Sequence, residues 1–276
     1  MIGRNMATIT DKPFNSREYW EKRLSEKWGL HGVGHISFGQ PYNEWLYRVR
    51  KHVFLRHVRG LPVDLRNAAV LDIGSGTGFW LNVWRYVGVR TVVGSDLTHV
   101  AVENLRQENP GMEIREMDIT DPNAVGEMKG RFDLISAFDV LFHITDEGRF
   151  AAAIANVASL LRPGGCFLFS DCFIHREARR AVHEVDRKID DYTRQLDAHG
   201  LKTLTRVPVF VVMNTPIDSR SEIPQIAWRL FMAPVRLLHP LGYLYGAVLY
   251  PCELLLTKTL RESPSTEMMI CQKPGS

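Results

Sequence analysis

The chain has 276 residues, 45% hydrophobic and 24% charged, enough for one large domain with an insertion and a sizeable core. Its 34 basic and 31 acidic residues leave a net charge of +3, which argues against the basic stripe of a dedicated nucleic-acid binder. Four scattered cysteines, Cys166, Cys172, Cys252 and Cys271, show no CxxC or Cys/His ligand spacing, and MIGRNMATITDKPFNS lacks the apolar core of a signal peptide, so a reducing, cytoplasmic setting is expected.

Residues 1 to about 15 read as a lead-in. A helix is expected from Ser16, its N-cap, with Tyr19, Trp20, Leu24 and Trp28 on one face. GLHGVGHISFGQPY (29–42) reads as a loop, and Trp45, Leu46, Val49, Val53 and Phe54 mark a second helix. From residue 69, short apolar runs alternate with amphipathic stretches. AVLDI (69–73), TVVGS (91–95), MEIREM (112–117), FDLISAF (132–138) and GCFLFSD (165–171) predict strands. FWLNVWRYVG, THVAVENLRQE, DPNAVGEMK and DEGRFAAAIANVASLL predict the helices between them, the last buried through Phe150, Ile154, Val157 and Leu161 and stopped by LRPGG. Repeated βα units of this length imply parallel strands with right-handed crossovers. Ala178, Val182, Val185, Ile189, Tyr192 and Leu196 then predict a longer helix ending at His199-Gly200. LKTLTRVPVFVVM (201–213) and TEMMICQ (266–272) return to strand character. The division expected is a helical lid segment (1–64), an α/β core (65–216), a helical cap insertion (217–262), and a final strand and tail (263–276).

The chemistry is carried by VLDIGSGTGFW (70–80). A buried strand ends at Asp72-Ile73, and Gly74-Ser75-Gly76-Thr77-Gly78 opens a helix. Glycines let such a turn take positive φ and let a ligand approach the backbone. VVGSDLT places Asp96 at the end of the next strand, where a carboxylate can accept ribose hydroxyls. REMDIT places Asp118 at the end of the third strand, and FDLISAFDVLFHI closes the fourth. A tight turn with aspartate helix caps would explain any one of these motifs, but not all four in order.

As an ordered set covering about residues 65–175, these motifs resemble the class I S-adenosyl-L-methionine (SAM)-dependent methyltransferases, in their small-molecule branch. The resemblance implies an α/β Rossmann-like seven-stranded sheet with its last strand antiparallel and helices on both faces; an N-terminal helical lid and a helical C-terminal insertion are expected from the composition of the segments outside it. It implies Asp72 and the Gly74, Ser75, Gly76, Gly78 turn against the methionine part of SAM, and Asp96 on the ribose. Leu97 would flank the adenine, Asp118 accept from its amino group and Ile119 pack on the ring. Phe138 and Asp139 would sit beside the sulfonium. Tyr42 is a further candidate for the SAM site. The product would be S-adenosyl-L-homocysteine, and no metal is expected. A nicotinamide-dependent oxidoreductase fits less well, because the turn is GxGxG rather than GxGxxG and no YxxxK appears. A non-catalytic SAM-binding or partner-interaction protein is the other alternative.

The acceptor is narrowed by absences. No Pro-Pro-aromatic motif of amide or exocyclic-nitrogen methylation follows the fourth strand, and Pro251-Cys252 lies far from any strand end that would carry a cytosine-attacking thiol. The expectation is O-methylation of a sugar, glycolipid or secondary metabolite. A hydroxyl acceptor needs a base, and the candidates are His143, Asp139 and His35, followed by His31 and His175. His143 reads equally as a helix-start histidine bonded to backbone. Asp171 and His175 follow the fifth strand, within reach of an acceptor or a metal, and Asp139, Asp171 and His175 are the one metal set left open although no clear constellation appears. Segment 226–260 is strongly apolar but broken by His239, Pro240, Pro251 and Glu253, so a membrane span is not expected. A packed cap is the preferred reading. A surface for lipid or a lipid-linked acceptor, flanked by Arg229, Arg236, Lys258 and Arg261, is the alternative, and exposed parts of the cap offer a homodimer contact.

Overall fold

The computed structural model describes residues 14–275, so the expected lead-in lies outside the described residues except for Phe14 and Asn15. Three helices come first: α1 (Ser16–Glu26), α2 (Leu30–Val33) and α3 (Gly39–Val58). The alternating stretch is β1 (Ala69–Ile73), α4 (Phe79–Val87), β2 (Thr91–Asp96), α5 (His99–Glu108), β3 (Glu113–Glu116), β4 (Phe132–Phe138), α6 (Glu147–Leu160) and β5 (Leu161–Asp171). A short hairpin, β6 (Arg179–Arg180) with β7 (Val185–Asp186), leads into α7 (Ile189–Ala198) and β8 (Lys202–Pro208). Helices α8 (Ile223–Phe231), α9 (Ala233–Leu237) and α10 (Leu241–Thr259) then precede β9 (Glu267–Gln272).

Seven strands form one sheet in the order β3-β2-β1-β4-β5-β9-β8. β1 to β5 pair in parallel, whereas β9 runs antiparallel to both β5 and β8. The chain leaves β1 toward β2 and β3 on one side and returns to β4 on the other. That reversal opens a crevice at the carboxyl ends of β1 and β4, where open α/β sheets bind ligands. Both faces of the sheet are covered. Leu71, Ile135, Phe167 and Phe169 pack toward α6 and α7 through Phe150, Ile154 and Tyr192. Val70, Leu134, Leu168 and Ile270 pack toward α3 and α4 through Val53, Phe54 and Trp84, with Trp228 and Met232 of the α8 region in the same cluster. Parallel strands buried on both faces are apolar throughout, which is why β1 and β4 stand out in the sequence.

Several elements differ from expectation, and each difference has a side-chain cause. Asn15, not Ser16, caps α1, its carboxamide oxygen accepting from Arg17 N and Glu18 N. Residues 29–42 hold α2, a 3-10 turn (Ile36–Phe38) and the first turn of α3 rather than a loop. Arg23 donates to the carbonyls of Gly32 and Gly34, and Asn43 donates to those of His35 and Gly39. DPNAVGEMK forms two 3-10 turns after the Asp121 cap instead of a helix. The helix expected from Ala178 begins only at Ile189. The stretch before it is extended so that the buried Arg187 guanidinium can reach the carbonyls of Leu141 and Ile144 and lie over Phe150. β5 starts at Leu161 and so includes LRPGG. β8 stops at Pro208 because the amides of Val211, Val212 and Met213 are taken by the Glu253 carboxylate rather than by a strand neighbour.

Candidate active site

The glycine turn after β1 has the backbone its composition demands. Gly74, Gly76 and Gly78 have φ of 67°, 52° and 77°, the left-handed region that side chains disfavour. A Cβ on Gly76 would sit 2.9 Å from Val33 Cγ1, so the turn is also crowded from above by α2. Gly74 to Thr77 of the turn line a cavity of about 410 Å³ with Asp96, Leu97, Asp118, Ile119, Phe138 and Asp139. The structure thus brings together the expected strand-end residues.

Asp96 and Asp118 are built alike. Each begins an Asp-x-Thr step, and in each Oδ1 accepts from the backbone N–H and the hydroxyl of the threonine two residues on, Thr98 or Thr120. Oδ2 of Asp96 accepts from Gly76 N at 2.9 Å, and Oδ2 of Asp118 pairs with Arg149 at 2.7 Å. A carboxylate has about four acceptor sites, so each keeps one for a ligand. Burial pushes the Asp96 carboxyl up, against the pull of these donors. Thr77 Oγ1, also on the cavity wall, is buried without a partner among the described residues. Bare backbone at the turn, spare acceptors at both strand ends and an unpaired hydroxyl fit a nucleoside carrying a polar tail.

Three expected SAM-site residues do not line this cavity: Gly78, the left-handed N-cap of α4, Asp72 and Tyr42. Asp72 lies behind the turn, hydrogen-bonded by Ser136 at 2.6 Å, and burial pushes its carboxyl up to about 7. Tyr42 is fully buried, its hydroxyl donating to the Met213 carbonyl at 2.8 Å, so it anchors α3 instead. The cavity roof comes from the segment expected as a lid, though none of these residues was singled out for it: Trp20 and Leu24 of α1 and Val33 of α2.

A second cavity, of about 630 Å³, adjoins the first. Trp20, Val33, Asp139 and His143 line both. His143 ends the 3-10 turn Leu141–His143, and its Nδ1 donates to the His183 carbonyl at 2.9 Å, which leaves Nε2 as an acceptor. Burial, opposed in part by that hydrogen bond, lowers its pKa to about 4. Asp139 has φ of 59°, rare outside glycine, and is gripped from two sides by Ser170 Oγ at 2.7 Å and Arg50 Nη2 at 2.6 Å. His35 lines only the second cavity, its Nε2 3.0 Å from Asn214 Oδ1; burial and the charge of Arg50 lower its pKa to about 4. His31 is bonded to Gln40 and His175 to Asp218, both outside the two cavities. Among the described residues no three His, Cys, Asp or Glu side chains gather as a metal site.

Arg50 went unrecognised in the sequence. It is 8% exposed, on the buried stripe Leu46, Val49, Arg50 and Val53 of α3, and a charge in such a stripe is its signal. Five arginines, Arg23, Arg50, Arg179, Arg229 and Arg236, line the second cavity. Asp171 also lines it; burial pushes its carboxyl up to about 8 despite the Tyr192 hydroxyl bonded to it.

The sheet order, the glycine turn and the strand-end aspartates define a class I SAM-dependent methyltransferase fold. Residues 42–206 match the family described as Methyltransferase domain, and the chain belongs to that family. It is 31% identical over 109 residues to a ubiquinone biosynthesis O-methyltransferase of Azotobacter vinelandii, covering 39% of this chain and 46% of that protein. The chain therefore spans about half the length of that relative. It is 26% identical over 181 residues to EEF1A lysine methyltransferase 2 of Danio rerio, covering 57% and 68%. Among solved structures it resembles magnesium protoporphyrin IX methyltransferase from Synechocystis with bound SAM, at TM-score 0.54 and 14% identity over 96% of this chain and 100% of that one. The cyclase SpnF is as similar, at TM-score 0.53 and 18% identity over 83% and 81%. Likeness at this level establishes the fold and not the reaction.

Proposed function

We propose that the chain transfers the methyl group of SAM to a hydroxyl of a small polar acceptor, a sugar, glycolipid or secondary metabolite, held in the second cavity. The observation that carries this reading is the junction: the cavity suited to a nucleoside opens onto a second, polar one at Asp139 and His143. In the first cavity, Asp96 and Asp118 would take the ribose and adenine ends, and the Gly74–Gly78 turn the methionine end. SAM, when bound, supplies a methyl group on a positive sulfonium, already activated for in-line displacement.

The protein's share of the work is alignment, exclusion of water and removal of one proton. His143 is neutral at pH 7 and points its proton-bearing Nδ1 at a backbone carbonyl, so Nε2 is the acceptor for the hydroxyl proton. Asp139, held by Arg50 and Ser170, orients rather than deprotonates. His35, tied to Asn214, would position the acceptor. Trp20 and Val33 roof both cavities and keep water from the junction. The lining, with five arginines beside Asp139, Asp171, Glu184 and Asp186, offers donors and acceptors suited to an oxygen-rich acceptor.

The test is calorimetric titration with SAM and S-adenosylhomocysteine, followed by mass spectrometry of an acceptor panel incubated with labelled SAM. Binding with methyl transfer to hydroxyl compounds is the expected result. Folded protein that binds neither nucleoside would overturn the reading. Binding without transfer to any acceptor would favour a non-catalytic SAM-binding protein.

A further inference from the structure

The cap carries an apolar surface that neither cavity uses. Each of its helices turns one side onto the core: Gln225 and Trp228 of α8, Val235 of α9, and Gly242, Gly246 and Thr257 of α10 are buried. The opposite sides are aliphatic and open. On α8, Ile223, Ile226 and Leu230 recur at i, i+3 and i+7, with Leu230 70% exposed. On α10, Leu244, Val248 and Leu255 share the outer face, with Val248 65% exposed. Between them Leu237, at the end of α9, is 82% exposed. Single exposed leucines need no explanation, but a run of them over three consecutive helices does.

The charge around this surface is one-sided. From Ile223 to Arg261 the chain carries Arg229, Arg236, Lys258 and Arg261, all exposed. The one acid in that span is Glu253, which is fully buried and accepts from the amides of Val211, Val212 and Met213. The outer side of α8 to α10 is therefore apolar and mainly basic; the exposed acids Glu222 and Glu262 flank the span, and Glu262 is already paired with Arg206.

We propose that α8, α9 and α10 form an interfacial docking surface for an anionic lipid bilayer, with the aliphatic side chains in the acyl boundary and the basic ones at the headgroups. Among the described residues no helix is long and apolar enough to cross a membrane, so the cap lies on the bilayer. Charge argues for lipid over a second copy of the chain. A two-fold contact through this face would set four basic side chains of each copy against fewer acids, Glu222 and the Arg206-paired Glu262, whereas lipid phosphates neutralise all of them. Arg229 and Arg236 also line the second cavity, so the docking face and the wall of that cavity are continuous.

The experiment is co-sedimentation of the full chain with vesicles of phosphatidylcholine alone or mixed with phosphatidylglycerol, at low and high salt. The parent chain should bind the anionic vesicles, bind the neutral ones far less, and release in high salt. The double variant L244E/V248E, altered only at exposed positions, should partition at least about tenfold less while still binding SAM by calorimetry. No binding of the parent to anionic vesicles overturns the proposal. So does a parent that sediments as a dimer in ultracentrifugation, becomes a monomer in the double variant and ignores vesicles; the face would then join two copies.

Discussion

In the proposed reaction His143 takes the hydroxyl proton, and its environment sets how well it can do so. Burial against Trp20 and Phe142 keeps the ring neutral, and the His183 carbonyl fixes the tautomer. A base of this kind is weak toward a ground-state hydroxyl, and becomes effective only as the attacking oxygen gains positive charge in the transition state. His143→Gln should lower kcat by about 10²–10⁴-fold and leave SAM affinity within a few-fold of the parent. Because the conjugate acid lies at about 4, the parent's rate should hold level from pH 8 down to about 5. An acid limb near 6.5 would show that another histidine carries the proton. Asp171 titrates the opposite way. Its carboxyl moves from the ordinary 3.8 to about 8, so between those values the folded chain holds a proton that the unfolded chain has lost. Its contribution to stability is complete below about pH 4 and is lost as pH rises to about 8. Urea midpoints of the parent should fall relative to those of Asp171→Asn across that window; parallel curves would place the carboxyl near its ordinary value.

The helices of the N-terminal region act through a few long-range bonds. Glu21 of α1 accepts from His99 N and Val100 N, the first two amides of α5, and so clamps α1 onto a helix N-terminus. Glu21→Ala should weaken SAM binding several-fold by loosening the Trp20 roof, and Glu21→Gln, which keeps an acceptor, should recover part of it in the same calorimetric titration. Nothing in the sequence marks Glu21, because its partners lie 78 and 79 residues away. The hairpin β6–β7 was hidden for the same reason. Its apolar spacing mimics a helix, and only the distant carbonyls that Arg187 reaches demand an extended chain. By contrast β1, β2 and β4 could be read directly, since strands covered on both faces are apolar runs and each ends in a glycine turn or an aspartate. The first cavity was legible through those strand ends. The second was not, because its walls come from α1, the hairpin and the chain around Asn214, which meet only in the fold.

At the scale of the whole molecule, the two cavities share a roof made by the most N-terminal described helices. Trp20 and Val33 stand over the junction, and Val33 Cγ1 would lie 2.9 Å from a Cβ on Gly76. These side chains cover part of the first cavity, so outward movement and return of α1 and α2 would widen the way in for a ligand the size of SAM. The roof is built for that: α1 has one buried residue, Leu24, and α2 one, Gly32, whereas α3 buries ten. Segments with so little buried surface open at low free-energy cost, and a ligand that contacts only the closed form shifts them toward it. Hydrogen exchange over residues 16–38 should therefore slow on adding SAM, while the already protected amides of β1 and β4 change little. Gly76→Ala pushes the turn against the roof and costs about 1–2 kcal/mol for a side chain at positive φ. In that variant the SAM-dependent protection of residues 16–38 should be lost together with SAM affinity. Unchanged exchange over residues 16–38 in a parent sample shown by calorimetry to be saturated would mean that α1 and α2 are a fixed wall, with entry by another path.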